Sequence, residues 1–230
     1  FWLGVFVALA LPSVTAVLLL RWVAPPTTAF ALAWRLEHGR SAARQWVPLG
    51  AIAPEMGLAV IAAEDQRFLD HHGFDFGAIG DAIEERFARG RVRGASTISQ
   101  QVAKNMFLWS GRSYFRKGLE AWFTVLVEFL WPKERILEVY LNVAEFGPGT
   151  YGVEAASRKF FRKPASRLTR REAATLAAVL PSPARLHAEA PSAYLQRRIE
   201  FIMGQMRVLG GESYLRQLGD DEPGRAQPGS

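Results

Sequence analysis

The helical character of this chain is clearest in one stretch, Leu58-Ala-Val-Ile-Ala-Ala-Glu-Asp-Gln-Arg-Phe-Leu-Asp-His-His-Gly-Phe-Asp75. An apolar run at helical spacing leads directly into two adjacent acids, Glu64 and Asp65. Glu64, Phe68 and His71 fall at i, i+4 and i+7, so a helix would carry them on one face. An acid at the edge of an apolar surface is disfavoured in its charged form, which suits a general base. A helix end with solvated acids is the plainer interpretation of the same pattern.

A second stretch, Gly94-Ala-Ser-Thr-Ile-Ser-Gln-Gln-Val-Ala-Lys-Asn105, is unusually polar for a helix. Helical spacing brings its hydroxyl, amide and ammonium groups near one face, from Ser96, Thr97, Gln100, Gln101 and Lys104. Such groups suit recognition of sugar hydroxyls, amides or phosphate oxygens. A face that is merely solvated would more often carry Glu and Lys, which favour helices more strongly than Ser, Thr or Asn.

A third stretch, Arg112–Glu120, places two cations within one helical turn of an acid. Arg116 and Glu120 are i, i+4 neighbours, and Lys117 and Glu120 are i, i+3 neighbours. These residues could form an ordinary surface ion pair, which contributes little to stability. Two cations beside a carboxylate could equally form a clamp for pyrophosphate. Spacing alone leaves both interpretations open.

The composition limits the class of protein. The chain has 230 residues, no Cys, and 28 Lys and Arg against 22 Asp and Glu, which gives a formal net charge of +6. This length fits one domain of ordinary size, or one domain with an appendage. Hydrophobic residues make up 49% of the chain, enough to build a core, so disorder throughout is excluded. The absence of Cys excludes a disulfide framework, a Cys-based zinc site and a cysteine nucleophile.

The N-terminal segment differs from the rest of the chain. Phe1 to Leu20 contains no charged residue, and a helix of this length matches the thickness of bilayer hydrocarbon. We therefore predict a transmembrane anchor over residues 1–22 and a juxtamembrane linker over residues 23–42. A cleaved signal peptide is the alternative.

The remaining pattern is mostly helical, with no internal repeat and no convincing strand pairs, so the predicted fold class is mainly α. Apolar periodicity and capping residues predict helices over residues 57–68, 76–89, 97–108, 114–131, 133–143, 154–161, 173–180 and 194–209. Three Gly and one Pro predict a loop over residues 145–152. Residues 219–230 are predicted to be a disordered tail.

Together, the three polar stretches resemble the peptidoglycan glycosyltransferases of glycosyltransferase family 51. The motifs of that family, Glu-Asp-x-x-Phe-x-x-His-x-Gly, Gly-x-Ser-Thr-Ile-x-Gln-Gln-x-x-Lys-Asn and Arg-Lys-x-x-Glu, occur here in that order. A fourth motif stands at Ile136–Asn142, and a fifth resembles Arg171–Pro183. The resemblance covers roughly residues 43–218 and is similar to the monofunctional, membrane-anchored branch, which lacks a penicillin-binding domain.

This resemblance implies a lysozyme-like glycosyltransferase domain over residues 43–218, with a large lobe, a small jaw lobe and a cleft. It implies polymerisation of lipid II by inverting transfer from an α-linked MurNAc donor to a GlcNAc 4-hydroxyl, with release of undecaprenyl pyrophosphate. The domain would lie on the periplasmic side of a bacterial inner membrane. The implied partners are lipid II, the nascent glycan strand, the membrane, and proteins of cell-wall synthesis or division, with no nucleic acid.

By the same resemblance Glu64 is the general base and Glu120 the second catalytic carboxylate. A leaving pyrophosphate needs positive charge more than a proton, so we interpret Glu120 as an organiser of nearby cations or of a metal. The predicted substrate-binding residues are Asp65, Phe68, His71, Ser96, Thr97, Gln100, Gln101, Lys104, Asn105, Arg116 and Lys117. No metal-ligating residues and no obligatory cofactor are predicted, and the chemistry leaves room for Mg²⁺ or Mn²⁺ near the pyrophosphate.

Several apolar and polar segments remain open to two interpretations. Met106–Trp109 fits core packing or partial insertion into a bilayer, whereas Trp122–Trp131 is too short to span a bilayer and is predicted to be core. Glu138, Tyr140 and Asn142 of the fourth motif fit structural support as well as a role in the site.

Two other functions compete with glycosyl transfer. A glycan hydrolase would share the carboxylate pair and the cleft, but it needs neither a membrane anchor nor a cation set suited to pyrophosphate. A membrane-tethered basic module that binds nucleic acid or anionic lipid is the non-enzymatic alternative. Its basic residues would form a continuous stripe with stacking aromatics, whereas here they are interleaved with Ser, Thr, Gln and Glu.

Overall fold

The computed structural model describes residues 2–80, 84, 96–111 and 113–220, and these residues are mainly helical, as predicted. The helices are α1 (Trp2–Leu20), α2 (Ala29–His38), α3 (Pro54–Glu64), α4 (Ile98–Phe107), α5 (Tyr114–Leu130), α6 (Lys133–Val143), α7 (Val153–Phe161), α8 (Arg170–Val179), α9 (Ala193–Val208) and α10 (Glu212–Asp220). Residues 76–80 and 84 are also helical. The strands are β1 (Ala43–Arg44), β2 (Glu145–Gly147) and β3 (Thr150–Tyr151).

A small sheet lies where the sequence predicts a loop, within residues 145–152. β2 and β3 pair antiparallel, and β1 runs parallel to β3 with Ala43 opposite Thr150. The prediction of a loop without strand pairs is therefore wrong for this segment. Strands of two or three residues are too short to show the alternation of apolar and polar residues that signals a strand.

Helix α2 lies inside the segment predicted as a linker. Its start is fixed by Thr28, whose buried hydroxyl oxygen accepts a hydrogen bond from the backbone N–H of Ala31 at 3.1 Å. It ends at Gly39, which has a φ of 65°, a conformation that glycine adopts without strain. From the sequence, no helix is predicted over residues 29–38, and a juxtamembrane linker over residues 23–42 stays a prediction.

The predictions for the two ends of the chain have different outcomes. Within the part of the chain that the structure describes, none of the helices has both the length and the apolar character needed to cross a membrane. The predicted transmembrane anchor is therefore not confirmed. Helix α10 was not predicted and continues to Asp220, into the segment predicted as a tail. The rest of that tail, residues 221–230, and most of the predicted helix over residues 76–89 lie outside the described residues.

The chain divides into two compact units, each made of two segments: Phe1–Ser41 with Glu64–Trp131, and Ala42–Ala63 with Pro132–Ser230. The first unit holds the segment predicted as the anchor, residues 23–41 of the predicted linker, and the first three motifs. The second unit holds the fourth and fifth motifs. All the candidate site residues named above therefore belong to the first unit.

In the first unit, α5 packs against both α4 and α1. The rings of Phe107 and Phe123 stack between α4 and α5 with a centroid distance of 4.5 Å. The indole N–H of Trp122 donates to the Ser13 hydroxyl at 3.0 Å, which ties α5 to α1. The indole N–H of the buried Trp131, just beyond α5, donates to the Val17 carbonyl at 2.8 Å. The N-terminal helix is thus part of the packing of this unit.

The two apolar stretches in this unit are only partly buried. Within Trp122–Trp131, Val125 and Phe129 are exposed, so the core prediction is wrong for these two side chains. Helix α5 buries its opposite face against α4 and α1, and these two residues point away from that face. Within Met106–Trp109 the methionine and the leucine are buried, which favours core packing there.

In the second unit, the fourth motif supports the segment after β1. The Asn142 side chain, fully buried, accepts from the Val47 N–H at 2.9 Å and donates to the Val47 carbonyl at 2.8 Å. Glu138 accepts from the Leu49 N–H at 3.0 Å, and Tyr140 is fully buried. These contacts favour structural support for the three polar residues of this motif.

Candidate active site

Glu64 is the last residue of α3, at the point where a buried apolar helix ends. Its side chain is half-buried. The side-chain amide of Gln101, on α4, donates from Nε2 to Oε2 of Glu64 at 3.0 Å. This hydrogen bond joins the first and second motifs and restricts the orientation of the carboxylate.

Lys104, on α4, interacts electrostatically with two acidic groups and two basic ones. Burial lowers the pKa of the Lys104 ammonium below its ordinary value of 10.5, because water is removed from the charged form. The negative charges of Glu120 and Glu64 oppose this effect, whereas the positive charges of Arg116 and Lys117 add to it. The lysine therefore interacts with both predicted catalytic carboxylates.

Glu120 lies on α5, two turns beyond the Ser113 N-cap, and is 4% exposed. Nη1 of Arg116 donates to Oε2 of Glu120 at 2.8 Å, and Nζ of Lys117 donates to Oε1. Both oxygens of one carboxylate are thus occupied by cations. The burial of Glu120 and of most of Arg116 argues against an ordinary surface ion pair, the plainer interpretation of this spacing.

Asp65 forms a buried hydrogen-bond network of its own. It is separate from the hydrogen bonds and charge interactions of the charged cluster, by which we mean Glu64, Gln101, Lys104, Arg116, Lys117 and Glu120. Its Oδ1 accepts from Nε2 of His71 at 2.8 Å, and its Oδ2 accepts from the Ile98 N–H at 2.9 Å. Nδ1 of His71 accepts from the Gly73 N–H at 3.2 Å, so the ring proton lies on Nε2. The network fixes the start of α4 relative to the end of α3.

Two further polar residues of the second motif form the N-terminus of α4. Thr97 is the N-cap, where the sequence predicts the start of the helix within one residue, and its hydroxyl donates to the Gly73 carbonyl at 2.7 Å. The Gln100 side chain accepts from the Thr97 N–H at 3.1 Å, which completes a capping box. Phe68 is fully buried and meets the edge of the His71 ring.

The predicted site residues fall into two groups in the structure. One group is linked by hydrogen bonds or close charges: Glu64, Gln101, Lys104, Arg116, Lys117 and Glu120. The other is buried and contacts protein groups: Asp65, Phe68, His71, Thr97 and Gln100. Ser96 is exposed and Asn105 is half-buried. The placement of the second group indicates a supporting role, and contact of its members with a substrate stays a prediction.

Two residues near this cluster were not predicted from the sequence. The ring of Phe30, on α2, lies with its centroid 5.8 Å from Nζ of Lys104. The carboxylate of Glu128, on α5, accepts a hydrogen bond from the Ser99 hydroxyl. Neither belongs to a motif, and Phe30 lies in a segment predicted as a linker, so no spacing pattern could have indicated them.

Among residues 2–80, 84, 96–111 and 113–220, no three His, Asp or Glu side chains are grouped so that they could hold a metal ion. Glu120 has both oxygens engaged by cations, so it would have to give up these ion pairs to ligate a divalent ion.

A model of the Transglycosylase family matches residues 32–207 of this chain, which include the whole charged cluster. The chain belongs to this family. A biosynthetic peptidoglycan transglycosylase of Xanthomonas campestris pv. campestris (strain B100) is 56% identical over 213 residues, 90% of this chain and 87% of the relative. Proteins of the same name from Pseudomonas entomophila (strain L48) and Pectobacterium carotovorum subsp. carotovorum (strain PC1) are 55% and 59% identical. The Pseudomonas alignment covers 90% of this chain and 89% of the relative. The Pectobacterium alignment covers 78% of this chain and 74% of the relative.

The supporting role of Asp65 in this transglycosylase family member predicts a stability effect. Asp65→Ala would leave the Ile98 N–H and the His71 Nε2–H buried without their acceptor, at a cost of about 1–3 kcal/mol for each donor. We expect a lower free energy of unfolding in urea by at least the cost of one donor. Asp70→Ala, at an exposed position of the same segment, is the matched control and should change stability little. Equal stability of the Asp65 variant and the wild type would contradict the buried network.

The environment of Lys104 predicts how stability varies with pH. Its pKa is lower in the folded chain than the ordinary 10.5, so the unfolded chain binds more protons between the two values. The free energy of unfolding of the wild type should therefore rise as the pH rises through this window, because the neutral lysine no longer carries the cost of burying a charge. Lys104→Met lacks the titrating group and should show a smaller rise. We expect the difference in unfolding free energy between wild type and variant to change across this window and to be constant below it. A difference independent of pH would exclude a buried ammonium at this position.

Proposed function

We propose that this chain is a peptidoglycan glycosyltransferase that polymerises lipid II into glycan strands for the cell wall. Transfer would invert the donor centre, from an α-linked MurNAc to a β-linked product, and release undecaprenyl pyrophosphate. The relatives named above carry the name biosynthetic peptidoglycan transglycosylase, which supports peptidoglycan as the product. The lipid substrate and the stereochemistry rest on the motifs and on the chemistry of the charged cluster.

The observation that carries this proposal is the electrostatic interaction of Lys104 with two carboxylates that have different surroundings. Glu64 has an amide donor beside it, whereas Glu120 has a cation on each of its oxygens. A carboxylate held by an amide can still accept a proton, which a general base must do. A carboxylate bound by two cations is better suited to holding those cations in place.

The proposed reaction assigns Glu64 to the acceptor side. Its carboxylate removes the proton from the 4-hydroxyl of the acceptor GlcNAc. The hydroxyl oxygen then forms a bond to C1 of the donor MurNAc as the bond from C1 to the phosphate oxygen breaks. The electron pair of the broken bond stays on the departing pyrophosphate.

The proposed donor side is the cation group of Lys104, Arg116 and Lys117. Negative charge grows on the leaving pyrophosphate, and fixed cations in a water-poor site stabilise such charge more strongly than water does. Arg116 has a buried Nε–H with no acceptor among the described residues. A guanidinium placed only for stability would have its donors satisfied, so this one supports a functional position.

We also propose that α1 holds the enzyme at the inner membrane, with the catalytic units on the periplasmic side. The support is an N-terminal helix without a charged residue and the lipid nature of the proposed substrate. Extraction of the protein from a membrane fraction tests this point. Release by alkaline carbonate, without detergent, would argue against an integral anchor.

Incubation with two substrates tests the proposed function. With labelled lipid II in detergent, the purified protein should form polymer and release lipid pyrophosphate. With mature wall glycan, it should release no shortened fragments. Shortening of the glycan without use of lipid II would instead indicate a hydrolase, which shares the carboxylate pair.

A further inference from the structure

Helix α2 contributes a side chain to the charged cluster, although this side chain lies outside the segment matched by the family. The Transglycosylase match begins at residue 32, and Phe30 precedes it. The Phe30 ring lies with its centroid 5.8 Å from Nζ of Lys104, within the range in which an aromatic ring attracts an ammonium group. Both residues belong to the first compact unit.

The position of Phe30 is fixed by the first turn of its helix. The buried Thr28 caps α2 through the Ala31 N–H, and Ala31 is itself buried. The first turn of α2 therefore cannot shift without breaking its cap, and α2 packs against α4, which carries Lys104. Phe30 is only partly exposed, and its ring lies beside the Lys104 ammonium.

Charged groups of both signs act on the Lys104 ammonium. Glu64 at the end of α3 and Glu120 on α5 attract it, whereas Arg116 and Lys117 on α5 repel it. The Phe30 ring, on α2, gives the ammonium an attractive contact with an uncharged group. The ring also keeps water from that side of the lysine, and burial is the main cause of its lowered pKa.

We propose that Phe30 is a positioning residue that holds the Lys104 ammonium in place and excludes water from it. This role rests on the proposed function, in which Lys104 stabilises charge on a departing pyrophosphate. Phe30 does not itself contact the reacting atoms. Its loss should therefore lower kcat for lipid II more than it changes KM, because the misplaced charge matters most as the bond breaks.

Steady-state kinetics of full-length variants test the positioning role. Phe30→Leu keeps an apolar side chain but removes the aromatic face, and we expect kcat to fall about tenfold to a hundredfold. Phe30→Tyr keeps the face and should retain kcat within about twofold. Leu36→Ala, at an exposed position on the same helix, is the control and should behave like the wild type. Equal kcat for the Leu and Tyr variants would overturn the proposal.

A second measurement needs no lipid II. The pH midpoint for acetylation of Lys104 by acetic anhydride, read by peptide mass spectrometry, reports the pKa of this side chain. Phe30→Leu keeps water out but removes the attraction of the ring for the ammonium, so it should move the midpoint further below 10.5, whereas Phe30→Tyr and Leu36→Ala should leave it in place. An unchanged midpoint in the Phe30→Leu protein would overturn the proposal, and a shifted midpoint in the Phe30→Tyr protein would overturn it as well.

The two measurements also separate this inference from the proposed function. If the wild type does not use lipid II but substitution of Phe30 changes the pH midpoint of Lys104, the contact between these residues is supported and the proposed substrate is contradicted. If the wild type polymerises lipid II and neither kcat nor the midpoint responds to Phe30, the function stands and the positioning role is wrong.

Discussion

Glu64→Gln should reduce the rate of lipid II polymerisation by about 10²- to 10⁴-fold, the contribution expected of a general base. Glutamine has the same shape and its carbonyl oxygen can still accept from the Gln101 amide, so the hydrogen bond between the first two motifs is retained. What is lost is the ability to take a proton. The rate of polymer formation from labelled lipid II, at saturating substrate and fixed pH, measures this effect.

The control for this variant is Glu37→Gln, which makes the same chemical change at an exposed position on α2. It should leave the rate unchanged. Thermal unfolding and circular dichroism should be the same for both variants and the wild type. A Glu64→Gln protein that polymerises lipid II within a few-fold of the wild type would show that another group acts as the base.

Glu120→Gln should lower both activity and stability. The substitution leaves the Arg116 and Lys117 charges without their shared anion, and Glu120 is 4% exposed. We expect a loss of about 3 kcal/mol in the free energy of unfolding, as for a buried ion pair broken from one side. Because the cations are no longer held in place, the rate with lipid II should fall about 10²-fold.

The ion pair between Arg171 and Glu200 provides the matched control. These side chains are 59% and 60% exposed, and Nη1 of Arg171 lies 2.6 Å from Oε1 of Glu200. Glu200→Gln should therefore cost less than about 1 kcal/mol and leave the rate unchanged. Near-normal turnover by Glu120→Gln, in the presence or absence of Mg²⁺, would contradict the role of Glu120 as an organiser of cations. Equal stability losses in the two variants would contradict its burial in the folded protein.

The parts of the fold with strong local signals could be predicted from the sequence. Helix α6 has the predicted bounds because Pro132 ends the preceding helix and apolar residues recur at helical spacing after it. Helix α8 is predicted over residues 173–180 and begins three residues earlier, at Arg170. The start follows the capping box of Thr169 and Glu172, two residue types three positions apart. The short sheet of β1 to β3 has no such local signal.

The candidate site could be predicted only in part. Motif spacing indicated all six residues of the charged cluster, but it could not separate them from the buried residues of the same motifs. Asp65 follows Glu64 directly, yet the two carboxylates point into different surroundings because the helix ends between them. The contact between Phe30 and Lys104 depends on the packing of α2 on α4, which no local pattern records.

The most direct test of the central claim is the configuration of the bond that the wild-type protein forms. Proton removal by Glu64 and direct displacement of pyrophosphate predict inversion at the donor carbon, so every MurNAc–GlcNAc bond formed in the polymer should be β-linked by NMR, and only the MurNAc at the lipid-bearing end should stay α-linked. Glu64→Gln should form almost none of this product under the same conditions. An α-linked product would require two displacements at C1, and it would contradict the single-step transfer proposed for this site.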